Sequence, residues 1–167
     1  MAILARGELE QGRPLDAGTG RIYGVTAATR WNGKLLRIVS VHLTSTYRVD
    51  LRHVAETGRA RLKEASDLAR RLNAWTEDVV VAGDFNAIPG SPEHLAVSDR
   101  LKRVPTTQPT FPSDRPRLPI DHIYLSDGLR ADRQMVRNSP ASDHRGVVVE
   151  LTARGADSRP ADTTAAD

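Results

Sequence analysis

The sequence predicts a single layered domain of the α/β or α+β class. Strand-like apolar runs alternate with helical periodicity in the first two thirds of the chain, and further strands then follow one another. The 167-residue length suits one domain, and 39% hydrophobic with 27% charged residues is a globular balance. We expect this domain to cover residues 1–152. Residues 153–167 lack apolar periodicity and are predicted to form a disordered tail.

A β-hairpin is the first predicted element. Residues 21–29 and 34–43 have the composition of strands, and Trp31-Asn32-Gly33 lies between them. Asn-Gly favours tight two-residue turns, because both residue types tolerate positive φ. The two strands are therefore expected to pair antiparallel.

One long amphipathic helix is predicted over residues 51–75. Apolar residues recur there at steps of three and four, which places them on one stripe of a helix. The stripe comprises Leu51, Ala55, Leu62, Ala65, Ala69 and Leu72. The face expected to be solvated comprises Arg59, Lys63, Glu64, Asp67, Arg70 and Arg71.

The second half of the chain predicts a buried strand, a short helix and three later strands. A strand is predicted over residues 78–82, because every residue after Asp78 in this run is apolar. Such a run is typical of a strand covered on both faces. A turn at Pro89-Gly90 precedes Ser91, which suits an N-cap, and Pro92, which suits the first helical position. A loop with five prolines is expected over 105–119, followed by strands at 120–125, 129–136 and 146–151.

Four short polar patterns share one placement, at the end of an apolar strand or just before one. They are Val41-His42-Leu43, Gly83-Asp84-Phe85-Asn86, Ile120-Asp121-His122-Ile123 and Ser142-Asp143-His144. A rigid scaffold can bring side chains at such positions together from distant parts of a sequence.

Each pattern also has a purely structural explanation. A lone histidine such as His42 is commonly a core or edge residue. Asp84 and Asn86 suit a turn, since both residue types bond to their own backbone. Asp121 suits a cap or an ion pair, and Asp143-His144 suits a polar loop.

Taken together, the patterns and their order resemble one family. GDFN followed by a proline-containing turn, then DHI, then SDH before a strand, is similar to the endonuclease/exonuclease/phosphatase superfamily over residues 1–151. GDFN with SDH at this separation is the specific pair. Ala2-Ile3-Leu4-Ala5-Arg6 also resembles a strand of that family. The resemblance implies a DNase I-like four-layer α/β sandwich.

The start of the chain departs from the family's pattern. The resemblance implies earlier strands with an Asn and a metal-binding Glu, and neither Glu8 nor Glu10 is aligned for that role. Residues 35–41 and 79–82 are predicted to be central strands, which need neighbours on both sides. We therefore expect a domain that is incomplete at its N-terminus.

The resemblance implies a catalytic base and a metal site. Asp84 would deprotonate the attacking water, and Asn86 would hold a phosphate oxygen and keep Asp84 in place. Asp143 would ligate a metal ion, with Asp84 and Asn86 also beside it. Oxygen ligands of this kind suit Mg²⁺, or Mn²⁺.

The resemblance also implies two histidines at the phosphate. His144 would bond a non-bridging phosphate oxygen, and Asp121 would accept from its other ring nitrogen. His42 would contact the scissile phosphate or protonate the leaving group.

Several other polar residues are expected outside this chemistry. We predict His122 to be structural, His53 and His94 to lie at the surface, and Arg115 and Arg117 to belong to a solvated loop. Tyr47 and Arg48 follow the HL strand and could line the cleft.

The expected function is divalent-metal-dependent hydrolysis of a phosphoester, in the manner of a phosphodiesterase, nuclease or phosphatase. The alternative is an impaired fragment or pseudoenzyme that keeps only the binding cleft. A zinc protein is disfavoured, because the chain has no Cys and no HExxH. The net charge of +3 is compatible with nucleic acid, a phosphorylated small molecule or a lipid as substrate, and is weak evidence for nucleic acid.

Composition also bears on location. No run approaches the ~20 apolar residues of a membrane span, and the first residues lack the pattern of a secretory signal. The lack of Cys suits a reducing compartment, and we expect a cytoplasmic monomer, although a targeting signal would be lost with a missing N-terminus.

Overall fold

The protein is described by a computed structural model over residues 1–48, 50–106 and 108–154. Its elements in chain order are β1 (Glu10–Asp16), β2 (Ile22–Trp31), β3 (Lys34–His42), α1 (Leu51–Ala74), β4 (Asp78–Asp84), α2 (Pro92–Ser98), β5 (Lys102–Arg103), β6 (Asp121–Leu125), β7 (Leu129–Arg137) and β8 (Gly146–Ala153).

A six-stranded mixed sheet forms the centre of the fold. Its strand order is β1-β2-β3-β4-β6-β5, with β3 and β4 parallel and every other neighbouring pair antiparallel. α1 is the crossover between the two parallel strands, as such a connection requires. β7 and β8 form a separate antiparallel pair.

The predicted hairpin is confirmed. β2 and β3 pair antiparallel over eight registered positions, from Gly24 opposite Val41 to Trp31 opposite Lys34. Asn32 and Gly33 both have positive φ, 50° and 76°, which is the backbone of a tight turn that matches the twist of the strands.

The helix prediction is confirmed in its bounds and partly wrong in its faces. Leu51 is 90% exposed, whereas Glu64 and Asp67, which were predicted to be solvated, are buried. Glu64 accepts hydrogen bonds from the backbone N–H and hydroxyl of Thr44. Paired charges can be buried because their partners replace water, so the buried face includes carboxylates that periodicity assigns to solvent.

Two apolar layers cover the sheet. On one face α1 and α2 pack against it, and the buried residues there include Tyr23, Val39, Leu68, Leu72 and Val81. On the other face a second cluster joins the sheet to β7 and β8, with Leu36, Val104, Ile123, Leu125 and Leu129 at its centre. The result is a helix, sheet, sheet layering that agrees with the predicted α/β class.

β1 and β5 are strands that the sequence did not predict. The sequence of β1, EQGRPLD, buries only Leu15, which is too little apolar periodicity to indicate a strand. Residues 2–6 were expected to form a strand and do not; Leu4, for example, is exposed. Among the described residues this segment has no pairing partner.

β3 and β4 are central strands, as predicted, and their neighbours come from this chain. β3 lies between β2 and β4, and β4 lies between β3 and β6. Both strands therefore have the neighbours on each side that central strands need.

The predicted tail falls mostly outside the described residues, since 155–167 are not described. Ala153 ends β8, and the backbone N–H of Arg154 donates to the Gly128 carbonyl. No helix in the described ranges is long and apolar enough to cross a membrane.

Candidate active site

Three of the predicted residues form a row across the sheet. His42 ends β3 and is the register partner of Asp84 at the end of β4, and Asp84 is in turn the partner of Asp121 at the start of β6. Adjacent strands lie about 5 Å apart, so strand pairing alone brings the three side chains together. The Nε2 atom of His42 lies 3.7 Å from Oδ2 of Asp84.

Gly83 allows this row to form. Its φ is 145°, and a Cβ there would be driven into the backbone of Val41 on β3. A residue with a side chain would have to push β4 away from β3. The glycine of GDFN is therefore a requirement of close strand approach immediately before Asp84.

Asn86 fixes the carboxylate of Asp84. The residue has a positive φ of 48°, and its backbone N–H donates to Oδ1 of Asp84 over 2.7 Å. Its side-chain Nδ2 donates to Oδ2 of Asp84 and to the Leu43 carbonyl, each over 3.0 Å. Both amide hydrogens are thus used, and the described residues donate no hydrogen bond to its Oδ1.

Asp84 is shielded from water and has an altered acidity. Burial is the largest cause and raises the pKa of its carboxyl, the backbone hydrogen bond from Asn86 opposes this, and the charge of Asp121 raises it further. A carboxylate whose pKa is raised accepts a proton more readily, which suits a general base.

Asp121 and His144 form a hydrogen-bonded pair. Nδ1 of His144 donates to Oδ2 of Asp121 over 2.8 Å, and its Nε2 lies 3.9 Å from Oδ2 of Asp84. Burial by itself lowers the pKa of His144. The hydrogen bond to Asp121 and the charges of the surrounding carboxylates outweigh it, so the pKa is raised. Phe111 covers the imidazole, with 4.7 Å between ring centroids.

Among the described residues, one group of three side chains offers metal ligands, and the expected ligand Asp143 lies outside it. Asp84, Asp121 and His144 offer ligand atoms within 4.8 Å of one another. Asp143, the expected ligand, is exposed and lies outside this group. Its backbone carbonyl accepts a hydrogen bond from Ser113 over 2.7 Å, and the residue lines the same cleft as the other three.

All six predicted site residues line one cleft. It has a volume of about 1000 Å³ and is bounded at one end by His42, Asp84, Asn86, Asp121, Asp143 and His144. Tyr47 also lines it, as anticipated, whereas Arg48 does not. Arg115 and Arg117 are exposed and lie outside it, in agreement with a solvated loop.

A buried cluster behind the site was only partly foreseen. His122, predicted to be structural, is buried. His94, expected at the surface, is buried too, and His53, also expected there, is only partly exposed. Nε2 of His94 and Nε2 of His122 both lie within hydrogen-bond distance of the Ala87 carbonyl, at 3.0 and 3.1 Å. No periodicity marks His94, since α2 is only seven residues long.

The comparison with protein families supports this picture. The family model described as "Endonuclease/Exonuclease/phosphatase family" matches residues 1–144. No curated protein matches the sequence.

Solved structures with the same fold include enzymes from several sources. One is the mannosyl-6-phosphatase Bt3783 of Bacteroides thetaiotaomicron (16% identity, TM-score 0.58, 77% of this chain and 56% of that chain). Another is the human Nocturnin catalytic domain with bound sulfate (20% identity, TM-score 0.66, 89% of this chain and 60% of that chain). A third is the 3′ phosphatase NExo from Neisseria bound to a product DNA hairpin (16% identity, TM-score 0.67, 89% of this chain and 73% of that chain). The chain spans little more than half the length of several such structures.

Proposed function

Because this chain belongs to the endonuclease/exonuclease/phosphatase family, we propose that it hydrolyses phosphoester bonds with the help of a divalent metal ion. The observation that carries the proposal is the gathering of two histidines and three aspartates at one end of a single cleft. Hydrolysis of a phosphoester needs a base for water, positive charge for the phosphoryl oxygens and a proton for the leaving oxygen.

Asp84 is the proposed base. Its raised pKa and its two hydrogen bonds from Asn86 give a carboxylate that is held in one orientation and binds a proton more readily than an exposed one. Asn86 acts as a positioning residue for Asp84. Its amide hydrogens are already used, so its Oδ1 suits a cation better than a phosphate oxygen.

His144 is the proposed donor to a phosphate oxygen. Its Nδ1 is engaged by Asp121, so Nε2 is the atom left to meet the substrate. The raised pKa favours the imidazolium, which attracts an anion and is unable to ligate a metal. His42, half exposed on the other side of Asp84, is placed to give a proton to the leaving oxygen.

The oxygen donors of the site fit a hard divalent cation. We propose that Asp84, Asn86 and Asp143 hold it, because their oxygens are the donors that Mg²⁺ and Mn²⁺ prefer. Such a cation, when bound, supplies charge to neutralise the phosphoryl oxygens. We assign His144 to the substrate and not to the metal ion, because a protonated imidazole is repelled by a cation.

Hydrolysis of bis-p-nitrophenyl phosphate and p-nitrophenyl phosphate by the purified chain tests the proposal. We expect release of nitrophenolate with Mg²⁺ or Mn²⁺, its loss with EDTA, and at least a ~100-fold lower kcat for Asp84→Asn, the usual scale for a general base. Asp99→Asn, an exposed aspartate at the end of α2, should retain wild-type activity.

The alternative is a pseudoenzyme that binds a phosphoester without cleaving it. A folded wild-type chain that binds Mn²⁺ and inorganic phosphate, yet releases no nitrophenolate above the Asp84→Asn background, would favour that alternative and rule out the hydrolase.

A further inference from the structure

The cleft extends well beyond the catalytic residues. Its lining also includes Thr46, Tyr47, Val54, Arg61, Ile88 and Glu93, the part of the cleft that we call the far end. The total volume of about 1000 Å³ is at the upper limit of common small-molecule sites, and a phosphoryl group alone fills only a small part of it. The far end therefore has room for the part of a substrate that does not react.

The described residues that line the far end carry no unpaired positive charge, and the nearby Arg48, outside the lining, has its guanidinium 5.7 Å from the centroid of the Tyr47 ring. Among the described residues that line the cleft, Arg61 is the only Arg or Lys. Its Nε donates to Oε1 of Glu93 over 3.0 Å, and its Nη1 donates to the Thr44 carbonyl and the Thr46 hydroxyl, each over 2.9 Å. The side chains of this pair are 13% and 7% exposed, so Glu93 neutralises Arg61 where water screens little.

A polyanion would therefore find little attraction in this part of the cleft. A second phosphate or a nucleic-acid backbone is normally met by unpaired Arg or Lys side chains, and the residues lining the far end offer none. The Arg61–Glu93 pair and the Thr46 hydroxyl instead present hydrogen-bonding groups of both kinds, which suit hydroxyl or amide groups of an uncharged ligand.

The rim of the far end is apolar and exposed. Tyr47, Val54 and Ile88 are 75%, 41% and 55% exposed, and all three border the same cleft. His53 meets the Tyr47 ring edge-on, with 4.4 Å between centroids, and the Arg48 guanidinium lies 5.7 Å from the ring centroid. Two neighbours therefore support a ring that is still largely exposed. Exposed apolar side chains that converge on a cleft commonly mark a binding surface.

We propose that the far end binds the uncharged, ring-bearing alcohol of a substrate that has a single phosphoryl group. The phosphoryl group meets Nε2 of His144, whose Nδ1 is held by Asp121. The ring packs on Tyr47, and its polar edge meets Thr46 and the Arg61–Glu93 pair. The inference rests on the proposed function. A nucleoside and a sugar both have this chemistry, and polymeric nucleic acid and bisphosphates do not.

Steady-state kinetics with a substrate series tests the proposal. The substrates are AMP, glucose 6-phosphate, β-glycerophosphate, which lacks a ring, fructose 1,6-bisphosphate and a DNA oligonucleotide. We expect kcat/KM for AMP or for glucose 6-phosphate to exceed that for each of the last three by about tenfold or more. A preference for AMP identifies a nucleoside, and a preference for glucose 6-phosphate identifies a sugar.

Three variants assign the effect to Tyr47. Tyr47→Ala should raise KM for the preferred ring substrate about tenfold with little change in kcat, the low end of what loss of one stacking contact costs. The same variant should raise KM for β-glycerophosphate much less than KM for the ring substrate, because β-glycerophosphate has no ring to pack on Tyr47. Tyr47→Phe should restore the wild-type KM. Leu51→Ala, an exposed apolar residue outside the cleft, is the matched control.

Failure of the subsite and failure of the hydrolase are separable. Equal kcat/KM for ring and ringless substrates, or a preference for the bisphosphate or the oligonucleotide, overturns the subsite and leaves hydrolysis intact. If no substrate is turned over, binding of adenosine and methyl glucoside is measured by ligand-observed NMR. Binding that Tyr47→Ala abolishes supports the subsite, and no binding of either compound overturns it.

Discussion

Acidification is expected to destabilise the fold through His122. The imidazole is 1% exposed, its Nε2 meets the Ala87 carbonyl, and its Nδ1 has no hydrogen-bond partner among the described residues. Burial, and then the charge of nearby His94, lower the pKa of His122 from 6.5 to about 4, while the bond to Ala87 opposes the shift. An imidazolium at this position would be desolvated and unpaired.

The sign and size of the effect follow from the two pKa values. Between pH 6.5 and 4 the unfolded chain holds a proton on His122 that the folded chain lacks, so the free energy of unfolding falls as the pH falls. One pKa unit corresponds to about 1.4 kcal/mol. The shift to about 4 therefore removes about 3 kcal/mol by pH 4, a large part of the ~5–15 kcal/mol of an ordinary domain.

Urea unfolding followed by circular dichroism at pH 7, 6, 5 and 4 measures the effect. His122→Gln keeps a donor for the Ala87 carbonyl and removes the titrating group, so its loss of stability between pH 7 and 4 should be smaller than that of the wild type by about 3 kcal/mol. Tyr124→Phe removes a hydroxyl from the same cluster and no group that titrates in this range. It should retain the wild-type slope. Parallel curves for His122→Gln and the wild type would refute the reasoning.

Further predictions concern the site and its supports. Asp121→Asn and His144→Gln should each lower kcat, and the double variant should be little worse than the worse single variant, because the two act as one unit; additive losses in a double-mutant cycle would contradict the pair. Gly83→Ala should lower the free energy of unfolding by more than ~3 kcal/mol, whereas Gly12→Ala, which meets no neighbouring atom, should change it by less than ~0.5 kcal/mol. Glu64→Ala should lower the free energy of unfolding by about 3 kcal/mol, since it leaves the part-buried Thr44 N–H without its acceptor. A smaller loss of stability than in an exposed control, Glu56→Ala, would contradict this.

The strands and their ends could be predicted from sequence because they depend on local pattern. Apolar runs and the Asn32-Gly33 turn give the hairpin, and the short run 78–82 gives a central strand. The same reasoning places His42, Asp84 and Asp121 at strand ends. That their strands are neighbours in one sheet does not follow from local pattern, and the gathering of the three residues was expected from the resemblance to the family.

Buried polar residues could not be predicted, because their burial depends on partners far away in the sequence. Glu64 is buried because Thr44, twenty residues earlier, supplies two donors and the Arg21 guanidinium lies 3.7 Å from its carboxylate. His94 is buried because the Ala87 carbonyl and Tyr124 meet its ring. Helical periodicity counts such residues as solvated, since it treats polarity as exposure and has no information on tertiary pairing.

The role of Asn86 also depends on geometry that the sequence lacks. The GDFN motif places an amide two residues after Asp84, and a contact to phosphate was the natural expectation. The hydrogen bonds to Asp84 and to the Leu43 carbonyl show that its two amide hydrogens are directed into the protein. The oxygen is then the atom with unused capacity, which favours the cation over the phosphate oxygen among the two partners expected for Asn86.

A crystal structure of the protein grown with Mn²⁺ and inorganic phosphate tests the central claim most directly. We predict an anomalous peak at the catalytic end of the cleft, bound by oxygens of Asp84, Asn86 and Asp143, with phosphate between it and Nε2 of His144. A peak elsewhere on the molecule, or a phosphate that leaves Asp84 and His144 without a contact, would contradict the proposed arrangement.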